Sequence, residues 1–147
     1  MSYAVPPIIR LSERLLVDVE EAVKVFPRRH KYVFGSDLRR AAMKVALRAQ
    51  RAWRKPRDPA KRIAKLVRAI DDFKLRLQLG SAIRAFASFG QFEALARLAK
   101  DIGRQAGGWM RRHQQHPKSQ NRAAGAPPER AQTLSTCAAS RHTGANA

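Results

Sequence analysis

Arg40, Lys44, Arg48, Arg51 and Lys55 recur at steps of four, four, three and four residues. On an α-helix that spacing gathers all five side chains within about 80° of arc. Leu38, Ala42, Val45, Ala49, Ala52 and Trp53 fall on the opposite side. The segment therefore reads as one helix with an apolar stripe for a core and a cationic face for its surroundings. The next segment repeats the design: Lys61, Lys65, Arg68 and Arg76 share one side, and Ile63, Leu66, Val67, Ile70, Phe73 and Leu77 the other. No stretch of the chain alternates in the manner of a strand, so the fold class is all-α.

Charge narrows the partners of such a fold. Residues 28–68 hold fifteen Lys or Arg against Asp37 and Asp58, a net +13 in 41 residues of a chain whose total is +19. Ordinary solvated faces mix the two signs, whereas these hardly do. A field of this kind repels itself and attracts polyanions, and nucleic-acid phosphate is the favoured one. The candidate phosphate contacts are Arg28, Arg29 and Lys31 before the cationic helix, Arg40, Lys44, Arg48, Arg51 and Lys55 on it, and Lys61, Lys65 and Arg68 on the next.

The length of 147 residues suits one domain, and a 44% hydrophobic content supplies a core. Four helices are expected. The first covers residues 7–26, with Ile8, Leu11, Leu15, Val19, Ala22, Val23 and Phe26 as its stripe, and Pro27 halts it. Ser36 is the expected N-cap of the second, with Asp37 at the positive end of its dipole, and Pro56 ends it. Asp58-Pro59 signals the start of the third, which runs to about Phe86 with Gly80 as an interruption, for a kink or for a close contact. Ser88 caps the fourth, whose stripe is Phe92, Leu95, Leu98, Ala99, Ile102, Ala106 and Trp109. Short connections favour an antiparallel up-down-up-down four-helix bundle over residues 1–113. Residues 114–147 contain one large aliphatic residue, Leu134, and read as a disordered tail. Met43, Leu47, Leu75 and Leu79 fall off the stripes, as ordinary exposure or as a subunit interface.

Two motifs stand out. The connector F-P-R-R-H-K-Y-V-F-G, residues 26–35, sets basic side chains beside aromatics. That combination grips phosphate and stacks on a base, or else Tyr32 and Phe34 turn inward to plug the bundle end. In I-G-R-Q-A-G-G-W, residues 102–109, Gly107 and Gly108 end the helix, or Gly103 and Gly107 admit a close neighbour while Trp109 packs over the gap. His113 and His116 read as a solvated helix end, and Asp71 and Asp72 as partners for Arg68 or Arg76. The single Cys137 allows neither a disulfide nor a cysteine-based metal site within one subunit. No catalytic motif, signal peptide or membrane-length apolar run is present, so the expectation is a non-enzyme without cofactor, metal, small-molecule substrate or membrane partner, located in the cytoplasm.

Together the two motifs on this helical frame resemble the accessory variability determinants, the four-helix-bundle accessory proteins of diversity-generating retroelements. That family is related to bundle proteins encoded in intervening sequences of bacterial large ribosomal RNA genes. The resemblance covers about residues 8–112. Phe26, Pro27, Arg28, Lys31, Tyr32 and Gly35 match its first motif, and Ile102, Gly103, Arg104, Gly107, Gly108 and Trp109 its last. It implies a basic pentameric barrel, a homopentamer that binds template RNA and cDNA and associates with the element's reverse transcriptase in mutagenic retrohoming. It also implies packing roles for the motif's apolar and glycine positions. The alternatives are a protein-interaction adaptor, or a bundle protein of the ribosomal-RNA type with no retroelement role.

Overall fold

The structure is a computed structural model that describes residues 4–54 and 57–115. These residues form a helical bundle of α1 (Pro7–Lys24), α2 (Arg28–Lys31), α3 (Phe34–Trp53), α4 (Pro59–Ala82) and α5 (Phe89–Gln115). Lys55, His116, Cys137 and nearly all of the expected tail lie outside the described residues. Gln114 and Gln115 are described, and they extend α5 rather than begin a tail.

Helix ends follow local chemistry, with three departures from the sequence reading. Pro7 occupies the first turn of α1, where its missing amide hydrogen is not needed. The connector after Pro27 is not plain loop, because Arg28–Lys31 winds into the single turn α2. Next, α3 starts at Phe34, not after Ser36, and its N-cap position, Val33, offers no side-chain hydrogen bond. Packing takes the place of the cap here. Gly35 is buried in the first turn, where an added Cβ would stand 2.6 Å from Val23 Cγ1, and Phe34 packs against the core. Asp58 does cap α4, its carboxylate accepting from the Lys61 amide at 3.1 Å.

The third departure is the end of α4. Gly80 does not break the helix; of the two expectations there, the close contact is the one found. It is buried within the last turns, facing the rings of Phe34 and Phe86. The helix closes at Ala82, before Phe86, through a Schellman motif. The Ala85 amide donates to the Gly80 carbonyl at 2.9 Å and the Arg84 amide to the Ser81 carbonyl at 3.1 Å. Arg84 stands at the left-handed position of that motif, with φ 57°, where glycine is usual. Ser88 then opens α5, its hydroxyl accepting from the Gln91 amide at 3.2 Å while Gln91 Oε1 accepts from the Ala87 amide at 3.1 Å.

The core is the sum of the apolar stripes. Leu15, Val19 and Val23 of α1, Leu38 and Val45 of α3, Leu66, Phe73 and Leu77 of α4, and Ile102 of α5 are essentially inaccessible. Burying each of these side chains favours folding by about 1.5–3 kcal/mol before ordering entropy is subtracted. Ser12 is the buried polar residue of this core, and it donates to the Ile8 carbonyl one turn back at 2.7 Å. The inward face of α3 is largely alanine: Ala41, Ala42, Ala46, Ala49 and Ala52. Small side chains let neighbours approach, and α3 makes the closest helix pairings, with α4 and with α1.

One end of the bundle is sealed by aromatics. Phe26 stacks on Phe34 at 6.0 Å, meets Phe86 edge-on at 5.3 Å, and Phe86 reaches Phe92 at 5.6 Å. The α1–α3 connector and the α4–α5 connector therefore meet at a shared ring cluster.

Candidate nucleic-acid interface

On α3, Arg40, Lys44 and Arg51 are exposed and Arg48 is half-buried. On α4, Lys61 and Arg68 are exposed and Lys65 is half-buried, and on α2, Arg28 and Arg29 are exposed and Lys31 half-buried. None of these ten cations has a carboxylate within 4.0 Å among the described residues; the ion pairs use Arg14, Lys24, Arg39, Arg76, Arg97 and Arg104 instead. The division has a sequence cause. Beyond Asp37 there is no carboxylate on α3, and α4 has none before Asp71. No neighbouring carboxylate thus offsets the charge of the ridge cations among the described residues.

The structure brings part of this set together. Arg40, Lys44, Arg48 and Arg51 line an open groove of about 390 Å³ between α1 and α3, together with Arg39, Glu20, Leu16, Met43 and Leu47. Its cations sit over an aliphatic floor. Lys61, Lys65 and Arg68 do not line the groove; they form a separate ridge on α4, the helix packed most closely on α3. The α2 cations belong to the aromatic end of the bundle instead.

Two ion pairs flank α3. Arg76 Nε donates to Asp37 Oδ2 at 2.7 Å, joining α4 to the first turn of α3. Arg39 Nε lies 3.0 Å from Glu20 Oε2 of α1, an ion contact whose N–H is not aimed at the carboxylate. Both pairs are partly exposed, so each contributes no more than about 1 kcal/mol. The carboxylate partner of Arg76 is therefore Asp37, not Asp71 or Asp72. Arg76 does reach back to the Asp72 carbonyl, donating from Nη1 at 3.2 Å.

Several sequence expectations resolve at the motifs. Tyr32 remains outside, 68% exposed, while Phe34 turns inward and stacks on Phe26. His30 Nε2 is buried without a hydrogen-bond partner among the described residues. Gly107 and Gly108 do not end α5, which continues through them to Gln115. Apart from the chain neighbours and the helix's own backbone, no described atom lies within 4 Å of a Cβ built on either, whereas one on Gly103 would meet Lys74 Nζ of α4 at 2.6 Å. Trp109 packs on the core and stands near His113, with ring centroids 6.4 Å apart. Met43, Leu47, Leu75 and Leu79 are all about half exposed, from 45% to 54%.

The sequence reading missed three groups. The role of Arg39 in the groove depends on Glu20, a partner 19 positions away, and no local pattern announces it. Leu16 joins Met43 and Leu47 as the groove floor, although the latter two were visible as off-stripe residues. Arg84 and Phe89, both exposed at the aromatic end, carried no motif signal. Among the described residues no cluster of three or more His, Cys, Asp or Glu could hold a metal, and no helix is long and apolar enough to cross a membrane. No protein-family model matches the chain, and no curated protein matches it.

Proposed function

We propose that this chain is a non-catalytic nucleic-acid-binding protein whose α3 and α4 ridges hold the phosphate backbone. The observation that carries the reading is that none of the ridge cations has a carboxylate partner among the described residues, whereas five of the other arginines, Arg14, Arg39, Arg76, Arg97 and Arg104, do. A solvated face of mixed sign would pair some of them. Phosphate contacts position without reading sequence, so binding is salt-sensitive and tolerant of sequence. With six contacts engaged, raising salt from 50 to 200 mM lowers affinity by about 10³-fold. A titration of a structured RNA across that range tests it, and an affinity that hardly moves rules it out.

The role we assign is that of an accessory factor of a diversity-generating retroelement, binding template RNA and cDNA beside the reverse transcriptase as a homopentamer. This part rests on the resemblance of residues 26–35 and 102–109. An up-down-up-down course is supported by cross-helix contacts: Glu20 with Arg39 and Glu13 with Gln50 between α1 and α3, and Asp37 with Arg76 between α3 and α4. In each pair of helices these contacts suit opposed directions. Light scattering during gel filtration tests the pentamer, and a monomer at micromolar concentration removes it.

One observation favours a second reading, the protein adaptor. The α1–α3 groove has a floor of Leu16, Met43 and Leu47 beneath its cations, which suits an acidic amphipathic helix. Reversing charge at Arg48 and Arg51 separates the two. Loss of RNA binding with polymerase binding intact supports the nucleic-acid reading, and the opposite result supports the adaptor.

A further inference from the structure

The aromatic end of the bundle carries exposed groups that packing does not use. Tyr32 is 68% exposed and Phe89 is 72% exposed. Phe89 leans on Phe92 at 5.9 Å, and Phe92 continues through Phe86 to Phe26 and Phe34. Each of the other exposed residues of interest lies within three chain positions of a ring of that cluster: Arg28 and Arg29 come after Phe26, Tyr32 before Phe34, and Arg84 before Phe86. The two connectors that supply them are thereby held together. Neither connector carries a carboxylate, for residues 25–36 and 83–92 hold no Asp or Glu.

Arg84 adds an independent observation. It takes the left-handed position that closes α4, at φ 57°, where an arginine pays a steric cost that glycine avoids. Its side chain is exposed and has no ion pair among the described residues. Nothing within the fold calls for arginine there.

We infer that this end is a second binding surface, selective for unpaired bases: Tyr32 and Phe89 stack on bases, and Arg28, Arg29 and Arg84 hold the phosphates between them. The inference rests on the nucleic-acid reading above and deepens it. The α3 and α4 ridges offer charge without aromatics, so they serve any phosphate backbone. This end offers ring faces on a rigid support, and a ring face is of use only where bases are unstacked from a duplex. Single-stranded RNA or DNA has both features, and a duplex lacks the second.

The test uses the full chain and three labelled probes of equal phosphate number: an oligothymidylate, an abasic oligonucleotide and a hairpin duplex. Anisotropy titrations at fixed salt are expected to give about tenfold tighter binding of the oligothymidylate than of the abasic strand. In Y32A/F89A that preference disappears, while duplex affinity and its salt slope stay unchanged. Both side chains are exposed, so the double variant folds, and circular dichroism checks that it does. Equal binding of the thymidylate and abasic strands by the unaltered protein overturns the inference and leaves the ridge reading intact. A variant that binds all probes normally but changes its elution volume marks the end as a protein contact, which also overturns it. A protein that binds none of the probes ends both readings.

Discussion

Four glycines lie within helices of the bundle beyond their first turns, and the structure assigns them opposite responses to alanine. In a helix interior the replacement gains about 1 kcal/mol from propensity and from the stiffer unfolded chain. At Gly107 and Gly108 nothing described lies within 4 Å of the new methyl group, so that gain is expected in full. At Gly103 the obstacle is Lys74 Nζ, the far end of a flexible side chain that can swing away, and a smaller gain is expected. Gly80 differs. Its Cβ would stand 2.5 Å and 2.7 Å from two atoms of the Phe34 ring and 2.9 Å from Phe86 Cε2. Both rings are held by Phe26, so neither can retreat without disturbing the cluster. Overpacking of this kind costs roughly 1–3 kcal/mol, and with both rings wedged the upper value applies. The net for Gly80→Ala is a loss of about 2 kcal/mol. The compact unit, Met1–Gln114, unfolds with an entropy of about 0.24 kcal/mol/K, so Tm should fall by about 8 °C. Gly107→Ala should raise it by about 4 °C. Thermal unfolding followed at 222 nm reads both, and repeating Gly80→Ala in a Phe34→Leu background should shrink the loss. An equal or higher Tm for Gly80→Ala, or a loss indifferent to Phe34, would falsify the packing account.

Three further outcomes can be measured. Arg84→Gly should raise stability in urea by up to about 1 kcal/mol by relieving the left-handed residue, whereas Arg84→Ala should not. The same change should weaken oligothymidylate binding. Asp58→Ala removes the acceptor for the Lys61 amide and should cost about 1 kcal/mol, while Asp58→Ser should recover most of it. A double-mutant cycle on Asp37 and Arg76 should give a coupling below about 1 kcal/mol that shrinks in high salt, because both side chains are partly exposed. A coupling of several kcal/mol would show that the pair is far less solvated than its geometry indicates.

The sequence exposed the helical stripes well because each depends on spacing within one segment. Leu38, Val45, Leu66, Phe73 and Ile102 were placed in the core by period alone, and all are buried. Asp58 announced its helix for the same reason, since a cap reaches only three residues. Contacts between segments were harder to read. Ser36 looked like the start of α3, but Gly35 and Phe34 enter the helix because Val23 and Phe26 of the preceding segment wait for them. Arg84 resembled any connector arginine, because φ is not written in side-chain chemistry. The candidate ridges were legible from charge spacing. The groove floor was visible only as leftover apolar residues whose partner, Leu16, lies on another helix.

The unpaired ridges also bear on how copies of this protein meet each other. Each chain brings a local excess of +13 within residues 28–68. Two such faces oppose close approach over a distance of about 10 Å at 0.1 M salt. For a chain that binds a polyanion as proposed, salt would act with opposite sign on two equilibria, loosening the grip on the polyanion while easing contact between protein copies. A bound strand does what salt does for the second equilibrium without harming the first, because it neutralises the faces it occupies. Under the proposed function, assembly and nucleic-acid binding would be thermodynamically linked through one charge distribution, and a strand long enough to touch two copies would favour their association with no new protein contact.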